Sequence, residues 1–264
     1  MKPISWITLS LSIAACSSSS SSSTATSADY DDAAQTIAAS TATSSGSSVQ
    51  AGEVLAMADS ISLSLGRLPL GFLRSGDGRI HGNRMGINHD FTITCKDAAG
   101  ATLAQCDKTT DSATVEVQFS GDVKTPNLTA SIDREGTWTI TGLQSATATL
   151  NGDSSFSLDT SLMSIFHQGV TSAFTLDATA AYTAITISTV DREVTGGTAT
   201  FDLKTHRTVT GTDMGSHDVD KTVEIHADLT FNGDGTATLV LDGTHTFTIN
   251  LKSGHCDRGG KHGN

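Results

Sequence analysis

From residue 61 to residue 252 the chain repeats a two-residue step: an apolar side chain, then most often a threonine, serine or aspartate. Val223, Ile225, Ala227, Leu229 and Phe231 form the longest clean run. Val115, Val117 and Phe119 repeat it, as do Ala237, Leu239 and Leu241, and Phe247, Ile249 and Leu251. Successive side chains of a β-strand point to opposite faces, so this period places the apolar set on one side. A helix with the same spacing would scatter that set round its circumference. The pattern therefore predicts an all-β domain of antiparallel strands, one face packed and the other wet.

Turn signals set the expected register. Opposite residues of an antiparallel pair share a face, so apolar must meet apolar. A three-residue loop at Asn232-Gly233-Asp234 sets Leu229 against Ala237 and Ala227 against Leu239. Asn151-Gly152-Asp153 likewise sets Ala148 against Phe156, and Arg134-Glu135-Gly136 sets Ile132 against Trp138. Asp242-Gly243-Thr244 sets Leu239 against Phe247. This recurrence predicts a long up-and-down meander of about ten to fourteen strands, and a sheet of that width must curl or split. A curved sheet or half-barrel is expected, with a β-sandwich as the alternative. With nine Phe, two Tyr and two Trp, the chain lacks the aromatic girdles of a membrane β-barrel.

The wet face needs hydroxyls, and the composition supplies them: 33 Ser and 40 Thr among 264 residues. Sixteen Lys and Arg against 28 Asp and Glu give a net charge of −12. An acidic chain does not form the basic footprint of a nucleic-acid binder. No run of about 18 apolar residues is present to make a transmembrane helix.

The N-terminus reads as an address. Lys2 is followed by the apolar residues Ile4, Trp6, Ile7, Leu9, Leu11 and Ile13, then by Ala14, Ala15 and Cys16. A positive start, a short apolar core and small residues before a cut form a secretory signal. Ile13-Ala14-Ala15-Cys16 resembles the lipobox of bacterial lipoproteins, and the resemblance covers only these first 16 residues. It implies that residues 1–15 are removed, that Cys16 carries diacylglycerol and a further acyl chain, and that the partner is a lipid bilayer. More than one acyl chain is needed for stable anchoring. Ser17 rather than Asp follows the Cys, which in Gram-negative lipoproteins implies sorting to the outer membrane, facing the periplasm or the surface. Residues 16–28 continue as a Ser/Thr-rich tether, with a reach of about 19 Å for twelve flexible residues.

Residues 29–60 are expected to hold one or two short helices. Tyr30, Ala33, Ala34 and Ile37 fall on one stripe, and Asp29, Asp31 and Asp32 suit a helix N-terminus. A second helical segment covers 50–60, and the switch to period two at Ile61, Leu63 and Leu65 marks the start of a β domain over 61–252. Residues 253–264 are expected to be a flexible tail.

The cysteines suggest one bridge. A two-residue loop at Gly100-Ala101 places Cys95 directly opposite Cys106, within disulfide range for an antiparallel pair. Cys256 is left over, beside His255 and six residues before His262. Such a tail holds soft-metal ligand types, so metal binding there is one expectation and a free or intermolecularly paired thiol the other. His206, His217, His226 and His245 show no metal spacing, and Asp133 and Glu135 read as solvated carboxylates flanking a turn. No nucleophile elbow, phosphate loop or zinc-protease motif occurs. No cofactor, metal site or catalytic residue is assigned.

Three functions remain open. The first is a membrane-anchored envelope lipoprotein with a non-enzymatic structural or interaction role. The second is a carrier holding an apolar ligand on the concave face, with Ala130, Ala146, Ala148 and Ala227 leaving room. The third is a metal-binding envelope protein acting through the C-terminal His/Cys tail. A carrier should keep an apolar cavity, whereas an interaction module should have a filled core.

Overall fold

A computed structural model describes residues 24–42, 52–84, 86–164, 170–211 and 218–258. Cys16, His217 and His262 lie outside them, as do residues 1–15 and most of the tether. Two helices precede twelve antiparallel strands: α1 (Ser27–Thr41), α2 (Glu53–Ser64), β1 (Phe72–Arg74), β2 (Ile80–Arg84), β3 (Ile87–Lys96), β4 (Ser112–Lys124), β5 (Leu128–Thr141), β6 (Thr147–Met163), β7 (Thr171–Ser188), β8 (Val194–Thr210), β9 (Val219–Phe231), β10 (Thr236–Leu241), β11 (His245–Asn250) and β12 (His255–Arg258). Every strand pairs with its chain neighbour, and the order runs from β1 to β12 without a crossover. The sheet is curved and unclosed, so the all-β meander expected from the alternation is the fold.

The apolar parity holds along the sheet. Val115, Val117 and Phe119 of β4, Trp138 and Ile140 of β5, and Ile225, Ala227 and Leu229 of β9 are buried in one core. Both helices lie on that face. α1 contacts β9 to β12, and α2 contacts β3 and β4. Asp29 accepts the Thr26 backbone N–H at 2.6 Å, half of a reciprocal cap that satisfies an orphan donor at the helix start. The tether expected over 16–28 therefore ends sooner, because Ser27 and Ala28 already belong to α1.

α2 is buried on nearly every side, Asp59, Ser60 and Ser64 included. This corrects the expected start of the sheet. Ile61 and Leu63 are helical, and the first strand begins at Phe72. A helix enclosed all round shows no polar stripe to reveal its period. Its serines are satisfied internally: the Ser60 hydroxyl donates to the Ala56 carbonyl at 2.8 Å and that of Ser62 to the Ala58 carbonyl at 3.1 Å. Asp59 is held by Arg192 of the β7–β8 turn, Nη2 to Oδ1 2.5 Å.

Two expected turns are strand interiors. Arg134, Glu135 and Gly136 lie within β5, and Asn151, Gly152 and Asp153 within β6. Ile132 therefore faces Leu158 rather than Trp138, and Ala148 faces Ile187 of β7 rather than Phe156. Each glycine serves packing. A Cβ on Gly136 would lie 3.2 Å from the Trp138 ring, and one on Gly152 only 2.1 Å from the Thr137 carbonyl oxygen. Gly152 marks a bulge, where the register of β6 and β7 shifts, and glycine inside a strand commonly signals such an approach.

The remaining turns divide. Leu239 faces Phe247 as expected across Asp242-Gly243-Thr244. At the β9–β10 turn Leu239 faces Leu229 and Ala237 faces Phe231, two residues from the expected register. The loop is centred on Asp234, whose Oδ1 accepts the Thr236 N–H at 3.0 Å. The shift of two preserves the faces, so hydrophobic pattern alone does not detect it. The C-terminal tail expected over 253–264 instead forms β12 as far as Arg258, paired with β11.

Cys95 and Cys106 are joined by a disulfide with Cα atoms 5.3 Å apart. The bridge is as expected but its setting is not. Lys96 pairs with Thr102 in an isolated bridge, and Cys106 lies in the loop beyond, outside any strand. Asp97 makes the wider turn by accepting the N–H groups of Ala99 and Ala101, each at 2.9 Å. The bridge lies under the C-terminus of α2, with Cys95 Sγ 3.7 Å from the Ser64 carbonyl oxygen.

Candidate functional site

The helices do not fill the concave face completely. Between α1 and strands β5 to β8 lies a cavity of about 250 Å³. Its apolar walls include Ile37 of α1, Ile132 of β5, Phe156 and Leu158 of β6, and Phe174 and Leu176 of β7. The strand parity explains the lining. Ile132 faces Leu158 and Leu158 faces Leu176, so one row crosses three strands on the inner face. These strands run past the level that the helices cover, and Ile132, Phe156, Leu158 and Phe174 are only partly buried.

Polar groups stand at one end of this cavity: Glu53, the first residue of α2, with Arg134 and Ser154 of the sheet. Glu53 is 2% exposed and Arg134 4%. Arg134 Nε lies 3.9 Å from Glu53 Oε1, and the Ser154 hydroxyl donates to the same oxygen. The guanidinium also lies over the Phe156 ring, 4.8 Å from its centroid, a favourable cation–π placement. Burial pulls the pKa of Arg134 below its ordinary value, and the Glu53 carboxylate opposes that shift. The carboxylate also sits where the α2 dipole favours negative charge. Among the described residues, Glu53 Oε2 accepts no hydrogen bond.

The residues at this polar end were open to inspection in the sequence. The inward parity of Ile132, Gly136, Trp138 and Ile140 includes Arg134, which puts a cation on the apolar face of β5. The turn-like composition of Arg134-Glu135-Gly136 masks this parity, although all three residues lie inside β5.

The outer face of the same strands forms shallow grooves of about 940 and 720 Å³. Asp133, Glu135, Asp177, Asp202, Glu224 and Asp242 line the first, with Lys204 and His226 among them. Asp133 and Glu135 thus stay solvated, but in mid-strand, where Gln118 donates to Glu135 Oε1 at 3.1 Å. His226 Nδ1 is 2.7 Å from Asp202 Oδ1. That hydrogen bond raises the His226 pKa, burial opposes it, and the charges of Asp202, Asp228 and Asp242 reinforce it.

Among the described residues, His206, His245, His255 and Cys256 are not gathered. His206 meets Asp220 at 2.8 Å, and His245 stacks on Tyr30 with ring centroids 3.8 Å apart. His255 and Cys256 are adjacent on β12, so their side chains leave opposite faces of the strand. Burial raises the Cys256 pKa, and Asp257 and Asp31 raise it further, which disfavours the thiolate a metal requires. Its Sγ donates to Gln35 Oε1 at 3.5 Å. Among the described residues no three His, Cys, Asp or Glu side chains are placed to hold a metal ion. Comparison with known proteins gives no match to a family model, a curated protein or a solved structure.

Proposed function

We propose that this chain is a cell-envelope lipoprotein, anchored through acylated Cys16, whose concave face carries a small apolar ligand without transforming it. The cavity of about 250 Å³ between α1 and the sheet carries the reading. A filled core would have favoured a purely structural module, whereas ligand sites are concave, mostly apolar and finished by a few placed polar groups. Ile13-Ala14-Ala15-Cys16 and the Ser-rich run behind it support the anchor. A tether after a lipidated cysteine leaves the cavity within a short flexible reach of lipid.

A second reading rests on the outer face. Its grooves combine nine carboxylates with strand hydroxyls, which suits hydrogen bonding to a protein or glycan partner in an interaction role.

Native mass spectrometry of the chain, expressed with its own leader in a Gram-negative host, tests both parts. Loss of residues 1–15 with a gain of acyl mass is expected, together with a non-covalent apolar adduct. Cys16→Ser should move the protein from the membrane to the soluble fraction. Persistent membrane attachment without acyl mass would remove the anchor, and a bare acylated chain that takes up no apolar ligand would favour the interaction role.

A further inference from the structure

The polar end of the cavity restricts what can occupy it. Arg134 and Glu53 are opposite charges facing each other in an apolar enclosure, so the end as a whole is close to neutral. A ligand carboxylate placed there would meet Glu53, and an ammonium would meet Arg134. Either charge would be taken out of water beside one partner of its own sign, which is strongly unfavourable at low dielectric. An uncharged head avoids this conflict.

The hydrogen bonds narrow the class further. Ser154 already donates to Glu53 Oε1, and Oε2 of the same 2%-exposed residue accepts nothing among the described residues. A buried carboxylate oxygen left without a donor keeps its full desolvation penalty, so a donor from the ligand is favoured at that atom. The rest of the wall is mostly apolar, with Ile132, Leu158, Phe174 and Leu176 among its residues. At about 250 Å³ it lies just below the range of about 300–1,000 Å³ for drug-sized ligands. That is room for one chain or one small ring, not for a two-chain phospholipid.

We infer that the cavity takes a single-chain or single-ring neutral amphiphile whose hydroxyl head donates to Glu53 Oε2. The inference rests on the carrier reading and specifies its ligand class. It also gives the ion pair a part in recognition: the paired charges exclude fatty acids and amines as much as they attract an alcohol.

Calorimetric titration of the detergent-solubilised full chain with 1-decanol, decanoate and decylamine tests it. Decanol should bind at least about tenfold more tightly than either charged probe. Glu53→Gln removes the negative partner and should reverse the order in favour of decanoate, because Arg134 is then the dominant charge. Leu158→Trp fills the apolar end without touching the ion pair, and should abolish binding of all three probes while the melting temperature is kept. Should Glu53→Gln not fold, the native ranking and Leu158→Trp still decide. Decanoate or decylamine matching decanol on the native chain overturns the head-group inference and leaves the carrier reading standing. Native affinity retained by Leu158→Trp puts the site elsewhere and overturns it too. No binding of any probe overturns both.

Discussion

Arg134, in the middle of β5, and Glu53, at the start of α2, face each other with Nε 3.9 Å from Oε1 and are almost wholly withdrawn from solvent. The pair joins the start of α2 to the middle of β5. Removing one partner leaves an uncompensated buried charge, whereas removing both leaves a larger apolar cavity. Arg134→Met alone should therefore cost about 3–5 kcal/mol in chemical denaturation. Arg134→Met with Glu53→Leu should recover most of that loss. Additive losses in the double variant would show that the two charges are not coupled.

The Cys95–Cys106 bridge closes a short loop, a sequence separation of 11. On the loop-entropy account its removal costs about 3 kcal/mol. Cys106→Ser should lower stability by that amount in oxidising buffer and have little effect in the presence of a reductant. An equal loss in both buffers would assign the effect to packing under α2 instead.

Gly152 and Gly235 separate steric from conformational cost. At Gly152 an added Cβ would meet the Thr137 carbonyl oxygen at 2.1 Å, whereas at Gly235, with φ +83°, it meets nothing within 4 Å. Gly235→Ala should cost about 1–2 kcal/mol from the left-handed backbone alone. Gly152→Ala should cost more, and should alter amide exchange at the β5–β6 pairing around Thr137. Equal costs at the two sites would mean that the bulge relaxes freely.

His226 gives the outer groove a pH dependence of definite sign. Its pKa is raised in the folded chain, first through Asp202. Its contribution to stability is fully present below the ordinary histidine value of about 6.5 and is lost as the pH rises through the raised folded value. Asp202→Asn should bring the ring pKa down, as followed by NMR titration of the imidazole. A pKa unchanged in Asp202→Asn would assign the shift to Asp228 and Asp242.

The fold was legible where the period was strict, and unreadable where two structures share one pattern. Val223 to Phe231 admits only a strand with those residues inward, and β9 follows it. Ile61 and Leu63 satisfy both a strand and a helix buried on all sides, and only the enclosing sheet decides between them. Asn-Gly-Asp is turn chemistry at residues 232–234 but a bulge at 151–153. The difference is the neighbouring strand that comes within reach of Gly152, and that partner is remote in sequence. The cavity was anticipated only as room on the concave face. The inward parity of Arg134 is legible, but its pairing is not, because Glu53 and Arg134 are 81 positions apart (134 − 53) and meet only once α2 is enclosed.

The first helix and the last strand are fastened to one another. Arg258 of β12 lies 2.8 Å from Asp31 and donates to the Ser27 carbonyl at 2.9 Å, both within α1. A sheet with every strand beside its chain neighbour can assemble hairpin by hairpin as the polypeptide emerges. Its opening segment does not share that convenience. α1 is made first and housed last, because β9 to β12 are the final strands to be synthesised. During synthesis α1 waits for these strands, and a chain halted before β9 would display the part of its apolar stripe that β9 to β12 cover. Completion of the domain is thus registered at its own beginning, and a truncated product differs from a finished one at the end of the molecule opposite to the truncation.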